Sequence, residues 1–389
     1  MKKGWICAAL ALTLGAAAIT GNIDMTASAA SDEEVVTDCK AAYLMDDASG
    51  VTLFAREETK RLPIASMCKI MTLLLALEAA DAGDLEYEEE ITVSEHAAGM
   101  GGSQVFLGAG LSYRADDLLK SIAVCSANDS CVAIAERLSG SETAFCDRMN
   151  ARAKELGAEN TLFANCTGLP KDPQYSCAKD VALMLRALIG HEKYHEYAKV
   201  WLEDFHHPDG RVTQMTNTNK LIRQYNGCNG GKTGFTNEAG FCLATSAKRG
   251  DMRVIAVVIG ASDSKTRFAS AASLLNYAFD RFESSIYLTA GQAIEEHAAV
   301  RGSRVHEVAL IPVRTLSVVK RRGTEESYTV SCEIQEAIAP IAAGDVLGEA
   351  ILYREGVEVM RSELVAQEAA PRFTWWDAYQ EGARHWNIA

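Results

Sequence analysis

The chain of 389 residues has no excess of basic side chains: 38 Lys and Arg stand against 52 Asp and Glu, for a formal net charge of −14. A nucleic-acid groove neutralises phosphates with a basic face, so this balance argues against one. Beyond the N-terminus there is no run of about 18 apolar residues, which a membrane-spanning helix requires. Ile70 to Leu77 is the most apolar later stretch, and Lys69 and Glu78 bracket it. The 11 cysteines include no CxxC pair and no compact framework spacing. Cys68, Cys125, Cys131 and Cys242 sit in apolar surroundings, where a thiol behaves as a small buried hydrophobe, so mostly free thiols are expected. Internal repeats and low-complexity segments are also missing. What is present is enough for a core: 48% of residues are hydrophobic and 23% charged, and the length suits two domains.

The N-terminus reads as an address. Lys2 and Lys3 precede an apolar stretch from Ile6 to Ile19, and Ala27-Ser28-Ala29 gives a small-x-small site. That order predicts a secretory signal over residues 1–29, cleaved near Ala29 or Ala30, with an uncleaved anchor as the alternative. The mature chain would be one charge more negative and extracytoplasmic.

Three further parts follow. Residues 38–284 alternate helical and strand patterns. Ala41–Met45 and Val51–Ala55 read as strands joined by the turn Asp46-Asp47-Ala48-Ser49-Gly50. Gly240–Ser246 and Arg253–Gly260 also read as strands, and residues 264–282 as a helix. Residues 285–368 carry short β-rich segments (Thr315–Lys320, Tyr328–Ile334, Ala350–Tyr353) with few helical stretches, which predicts a small all-β domain. The tail, 371–389, holds Trp375, Trp376 and Trp386; Trp376, Tyr379, Ala383 and Trp386 share one face at helical spacing. Such a face suits peripheral contact with a membrane surface or packing on the β domain, and the sequence leaves both open.

Three separated motifs carry the chemistry. In Ser66-Met67-Cys68-Lys69 the first and last residues lie one turn apart, ahead of a run that is apolar on all sides and so predicts a buried helix. A lysine there is costly to bury charged, and a neutral amine beside a hydroxyl is an activated-nucleophile arrangement. Ser126-Ala127-Asn128 falls on a turn between two apparent helices, where Asn128 or Asp129 would otherwise serve as plain N-caps. Lys232-Thr233-Gly234 opens onto a strand: the cation and hydroxyl suit a carboxylate, and Gly234 admits a close backbone.

Taken in order, Ser-x-x-Lys, Ser-x-Asn and Lys-Thr-Gly form the signature shared by penicillin-binding proteins and β-lactamases. The resemblance extends to Gly102–Leu107, Leu156–Thr161, Gly168-Leu169, Gln174–Asp180 and Asn237–Gly240. With these, residues 38–284 resemble the low-molecular-weight D-alanyl-D-alanine carboxypeptidases, serine-type penicillin-binding proteins. Ala127 stands where Gly is commoner, and Phe235 where His or Tyr is. The resemblance implies an α+β fold: a β-lactamase/transpeptidase-like domain, with an antiparallel sheet flanked by helices and an inserted helical region, then the small all-β domain. It implies that Ser66 is the nucleophile, Lys69 the general base and Ser126 the proton relay. Asn128 would bind the substrate backbone, Lys232 and Thr233 the terminal carboxylate, with Gly234 and Phe235 on the same substrate-binding edge, and the N–H groups of Ser66 and Phe235 would bind the oxyanion. The implied activity removes the terminal D-alanine from peptidoglycan stem pentapeptides through an acyl-enzyme, with β-lactams as covalent inhibitors and no metal or cofactor.

A class A-like β-lactamase shares the motifs but needs a deacylating glutamate, and the middle region follows the carboxypeptidase pattern instead. A non-catalytic penicillin-binding sensor or scaffold would also keep them. His191-Glu192-Lys193-Tyr194-His195 matches the zinc-protease pattern H-E-x-x-H, with His206 or His207 as a third ligand, but its polar surroundings do not suit a buried catalytic helix.

Overall fold

Asp46 builds a tight turn between two strands. Its Oδ2 accepts the Ser49 N–H at 2.8 Å and the Ser49 hydroxyl at 2.6 Å, and Gly50 takes a φ of 76°. The strands Ala41–Asp46 and Thr52–Arg56 are thereby joined as an antiparallel pair. They form one side of a five-stranded antiparallel sheet in the order Thr52–Arg56, Ala41–Asp46, Met252–Ala261, Gly240–Arg249, Cys228–Thr236. The structure is a computed structural model that describes Val35 and residues 38–386. The leader assigned to residues 1–29 lies outside the described residues.

Successive side chains of a strand point to opposite faces, and both faces of this sheet are apolar. Ala41, Tyr43, Met45, Cys242, Ala244, Ile255, Val257 and Ile259 face the helical side. Ala42, Leu44, Leu243, Ala247, Val254, Ala256 and Val258 face the other side, covered by the helix Ser264–Arg281 through Phe268, Ala271, Leu274, Leu275 and Ala278. This covering on both faces explains why the sequence shows continuous apolar runs here rather than alternation.

The helix Lys69–Asp81 lies inside the helical layer. Ile70 to Leu77 is buried without a break, so the helix shows almost no amphipathic bias. It packs against the helices Ala115–Val124, Asn128–Ser139, Glu142–Glu155 and Ala178–Leu188.

From Phe282 to Ala366 the chain is all β, and the helix Trp375–Trp386 follows. Phe282–Leu288 pairs with Leu316–Arg321, and six further strands form a sheet around Ala298, Val308, Leu310, Ala350, Leu352 and Leu364. Phe282 and Val319 are buried with the outer core of the first sheet, and Arg322 donates to the Phe279 carbonyl at 2.9 Å, which fastens the junction. The fold is α+β followed by a small all-β domain, as expected from the sequence.

Candidate active site

Ser66 sits on a tight 3-10 turn, Ala65–Cys68, that leads directly into the helix beginning at Lys69. Ala65 has a φ of 48°, a conformation that costs a residue with a Cβ about 1–3 kcal/mol. Two glycines accommodate the turn. A Cβ on Gly168 would lie 2.0 Å from the Ala65 carbonyl oxygen, and one on Gly234 would lie 2.6 Å from that of Ile64 and 3.1 Å from the Ser66 nitrogen. The strand carrying Lys232 therefore lies directly against the backbone of Ser66.

Lys69 is fully buried. Its Nζ is 3.0 Å from Ser66 Oγ and donates to the Thr167 carbonyl at 2.5 Å. Burial holds its pKa below the ordinary lysine value. A protonated amine donates to Ser66; once neutral, its lone pair accepts the hydroxyl proton.

The helix Ala115–Val124 ends one residue before Cys125, and Ser126 then takes a φ of 68°. Ser121 Oγ, 2.7 Å from Ser130 Oγ, ties this helix to the next. Ser126 Oγ is buried with no hydrogen-bond partner among the described residues, and so is Asn128 Oδ1. Leaving a buried polar group unmatched costs about 1–3 kcal/mol. Asn128 Nδ2 donates to the Gly101 carbonyl at 2.6 Å, and its N–H to that of Ser103 at 2.7 Å. The N-cap of this helix is Ala127, without a side-chain cap. Asn128 and Asp129 thus do not serve as the plain caps that the sequence allowed: Asp129 accepts the N–H groups of Val105 and Leu107 at 3.2 and 3.0 Å.

Lys232, Thr233, Gly234 and Phe235 lie on the edge strand Cys228–Thr236. Gly231 is part of the strand; its N–H donates to Tyr194 Oη at 2.9 Å. Lys232 is buried, and burial together with the nearby Lys69 charge pushes its pKa down to about 7. Arg267 reaches the Gly234 carbonyl from the covering helix at 3.2 Å. The Phe235 ring is half exposed and packs on Phe241 at 4.3 Å between centroids.

Cys131 lies one turn into the helix that starts at Asn128, within reach of both lysine charges. Burial pushes this thiol up to about 12, while the charges of Lys69 and Lys232 both act to lower it. Two buried lysines with two unmatched polar oxygens, Ser126 Oγ and Asn128 Oδ1, make a small cationic site on an acidic protein. Such a site can bind an anionic group and activate one hydroxyl.

The H-E-x-x-H histidines are engaged separately. His191 Nδ1 lies 2.7 Å from Asp81 Oδ2, and His195 sits between the Asn229 and Ile189 carbonyls. His207 lies between Tyr113 and Thr213. Among the described residues, no group of three or more His, Cys, Asp or Glu is placed to hold a metal ion.

Sequence reasoning missed Thr167, Asn165, Tyr194 and Arg267. Thr167 contributes only a carbonyl and the others act on backbone, so their side-chain chemistry gave no signal. Gly168-Leu169 was the one visible trace, since a glycine beside a polar loop marks a close approach.

Residues 25–263 match the family described as D-alanyl-D-alanine carboxypeptidase, and residues 282–372 match the penicillin-binding protein 5 C-terminal domain. A D-alanyl-D-alanine carboxypeptidase of Bacillus subtilis (strain 168), DacF, is 38% identical over 86% of this chain and 86% of its own length. DacC of Escherichia coli (strain K12), also a D-alanyl-D-alanine carboxypeptidase, is 33% identical over 85% of this chain and 84% of its own. Among solved structures, penicillin-binding protein 5 of Haemophilus influenzae superposes with a TM-score of 0.68 at 27% identity, covering 87% of this chain and 98% of that one. With the motifs, the fold and these relatives in agreement, the chain belongs to the D-alanyl-D-alanine carboxypeptidase family of serine-type penicillin-binding enzymes.

Proposed function

We propose that the chain removes the terminal D-alanine from peptidoglycan stem pentapeptides by way of an ester on Ser66. The observation that carries this reading is the buried Lys69 amine 3.0 Å from Ser66 Oγ. Lys69 takes the hydroxyl proton as Oγ bonds to the carbonyl carbon between the two D-alanines. The N–H groups of Ser66 and Phe235 stabilise the oxyanion, a contribution of about 2.7–4 kcal/mol per donor. Ser126 passes the proton to the departing amine, the C–N bond breaks and D-alanine leaves. Water then attacks the ester and returns a proton to Ser66, leaving a shortened peptide. Asn128 holds the substrate backbone amide.

Lys232, with Thr233, receives the free carboxylate, and the electrostatics link this to catalysis. A carboxylate on Lys232 favours its ammonium form. That positive charge then disfavours a second ammonium on Lys69, so docking of the correct substrate end promotes the neutral base. β-Lactams present a carboxylate and a strained amide to the same groups and would acylate Ser66.

The substrate class lies outside the cytoplasm, which agrees with the leader read at residues 1–29. Membrane contact through the tail fits as well: Trp375, Trp376 and Tyr379 are exposed on the helix Trp375–Trp386, while Arg304 anchors its start to the β domain through the Asp377 carbonyl at 2.9 Å. The test is D-alanine release from diacetyl-Lys-D-Ala-D-Ala. Release by the native chain and none by Ser66→Ala is expected; equal release by both would exclude Ser66 as nucleophile.

A further inference from the structure

A neutral amine has two N–H bonds and one lone pair. When one N–H of Lys69 donates to a fixed carbonyl, the lone pair is turned away from that carbonyl. The direction in which Lys69 can accept a proton is therefore set by where the Thr167 oxygen is held. Thr167 lies 98 residues along the chain, on a loop between the helices Glu142–Glu155 and Ala178–Leu188.

One buried side chain organises that loop. Asn165 Oδ1 accepts the Gly168 N–H at 2.7 Å, the Thr167 N–H at 3.2 Å and the Thr167 hydroxyl at 3.3 Å. Its Nδ2 donates to the Leu169 carbonyl at 2.8 Å. Its own carbonyl receives the Cys68 thiol at 3.2 Å, one residue before Lys69. Gln174 secures it from behind, with Oε1 accepting the N–H groups of Ala164 and Asn165, each at 3.0 Å. Thr72, on the helix of Lys69, donates to the Cys166 carbonyl at 2.7 Å. Loop and helix are thus laced together on both sides of Thr167.

We propose that Asn165 is a positioning residue that, by fixing the Thr167 carbonyl, aims the Lys69 amine at Ser66. The proposal deepens the carboxypeptidase reading and rests on it. The groups acting on the amine are the Lys232 ammonium and the thiols of Cys68, Cys125, Cys131 and Cys166. Two acids bond the loop: Glu142 accepts the Cys166 N–H at 3.1 Å and its thiol at 3.2 Å, and Asp180 accepts the Asn160 N–H at 2.7 Å and the Thr161 hydroxyl at 2.8 Å.

This arrangement separates two substitutions. Asn165→Asp keeps the acceptor oxygen, loses the donor to the Leu169 carbonyl and adds a negative charge near Lys69. That charge favours the ammonium, so the base form appears only at higher pH. Asn165→Leu removes the acceptor and adds no charge. The experiment measures acylation by nitrocefin from about pH 5 to about pH 10, with thermal melting and intact mass, for the native chain and both variants. Expected are a rise of about one unit in the acid limb of Asn165→Asp, with about a tenfold loss at neutral pH, and a loss of at least about tenfold in Asn165→Leu. An acid limb left in place by Asn165→Asp, with or without a loss of rate, would overturn the proposal, as would native acylation by Asn165→Leu. If Asn165→Leu does not fold, the limb of Asn165→Asp decides alone. A native chain that takes no adduct on Ser66 would instead remove the carboxypeptidase reading before either variant is compared.

Discussion

The catalytic unit and the β domain bury different things. Around Ser66 the interior holds Lys69, Ser126, Asn128, Asp129, Lys232, Thr233 and Arg267, whereas the buried polar residues of the β domain are serines: Ser303, Ser317 and Ser362. Backbone strain divides in the same way. Ala65, Phe106 and Ser126 adopt positive φ on the Ser66 turn, the loop that docks Asn128 and the Ser126 turn, while Glu57 and Glu355 only turn the chain at strand ends. Charge burial and strain both cost stability, so their concentration in one unit marks where function is imposed on the fold. In the β domain, strands such as His297–Arg301 and Glu307–Pro312 follow plain alternation.

The comparison can be broken at several points. The largest effect is expected from Gly168→Ala, because its Cβ would stand 2.0 Å from the Ala65 carbonyl and the glycine has a φ of 82°. Loss of at least about 3 kcal/mol of stability and of penicillin labelling is predicted, read by melting and by gel fluorescence. Normal labelling would show that the turn around Ser66 can relax. Lys232→Ala comes next. Losing a charge-assisted contact of about 1.5–3 kcal/mol should lower kcat/KM about 10- to 100-fold on the acid substrate, and much less on its C-terminal amide. Equal losses on both would reject the carboxylate role.

The pH profile tests the same two lysines. In the proposed mechanism Lys69 acts as a neutral amine, so kcat/KM should fall as acid protonates it. Lys232 must be charged to bind, and its pKa in the free protein lies near 7, so kcat/KM should also fall as pH rises through that region. A profile flat above neutrality would mean that Lys232 keeps its proton. On the other side of the comparison, Leu352→Ala should cost the β domain about 2–5 kcal/mol while leaving Ser66 acylation unchanged below the new melting point. Reduced acylation of the folded variant would show that the two units are coupled. Removing residues 371–389 should have the smallest effect, leaving D-alanine release intact and abolishing sedimentation with lipid vesicles; unaltered sedimentation would exclude the tail as the contact.

The α+β fold was legible because its signals are local. The apolar run after Lys69, the turn at Asp46–Gly50 and the alternation in Tyr328–Ile334 each specify an element without reference to the rest of the chain. The site was legible as side chains, through three motifs in order. Its support was not: the Thr167 carbonyl, the Asn165 amide and the strand-clamping Tyr194 act through backbone atoms that any sequence supplies. The readings of Asn128 and Asp129 as helix caps failed for a related reason. Their partners, Gly101, Ser103, Val105 and Leu107, come from a loop more than twenty residues upstream, which no local rule can see.

The central claim is that one hydroxyl, Ser66 Oγ, becomes acylated. Peptide mapping by mass spectrometry after benzylpenicillin treatment tests it most directly. The account predicts one adduct of the intact drug, on the peptide containing Ser66 and absent from Ser66→Ala. An adduct on another residue, or none, would contradict it.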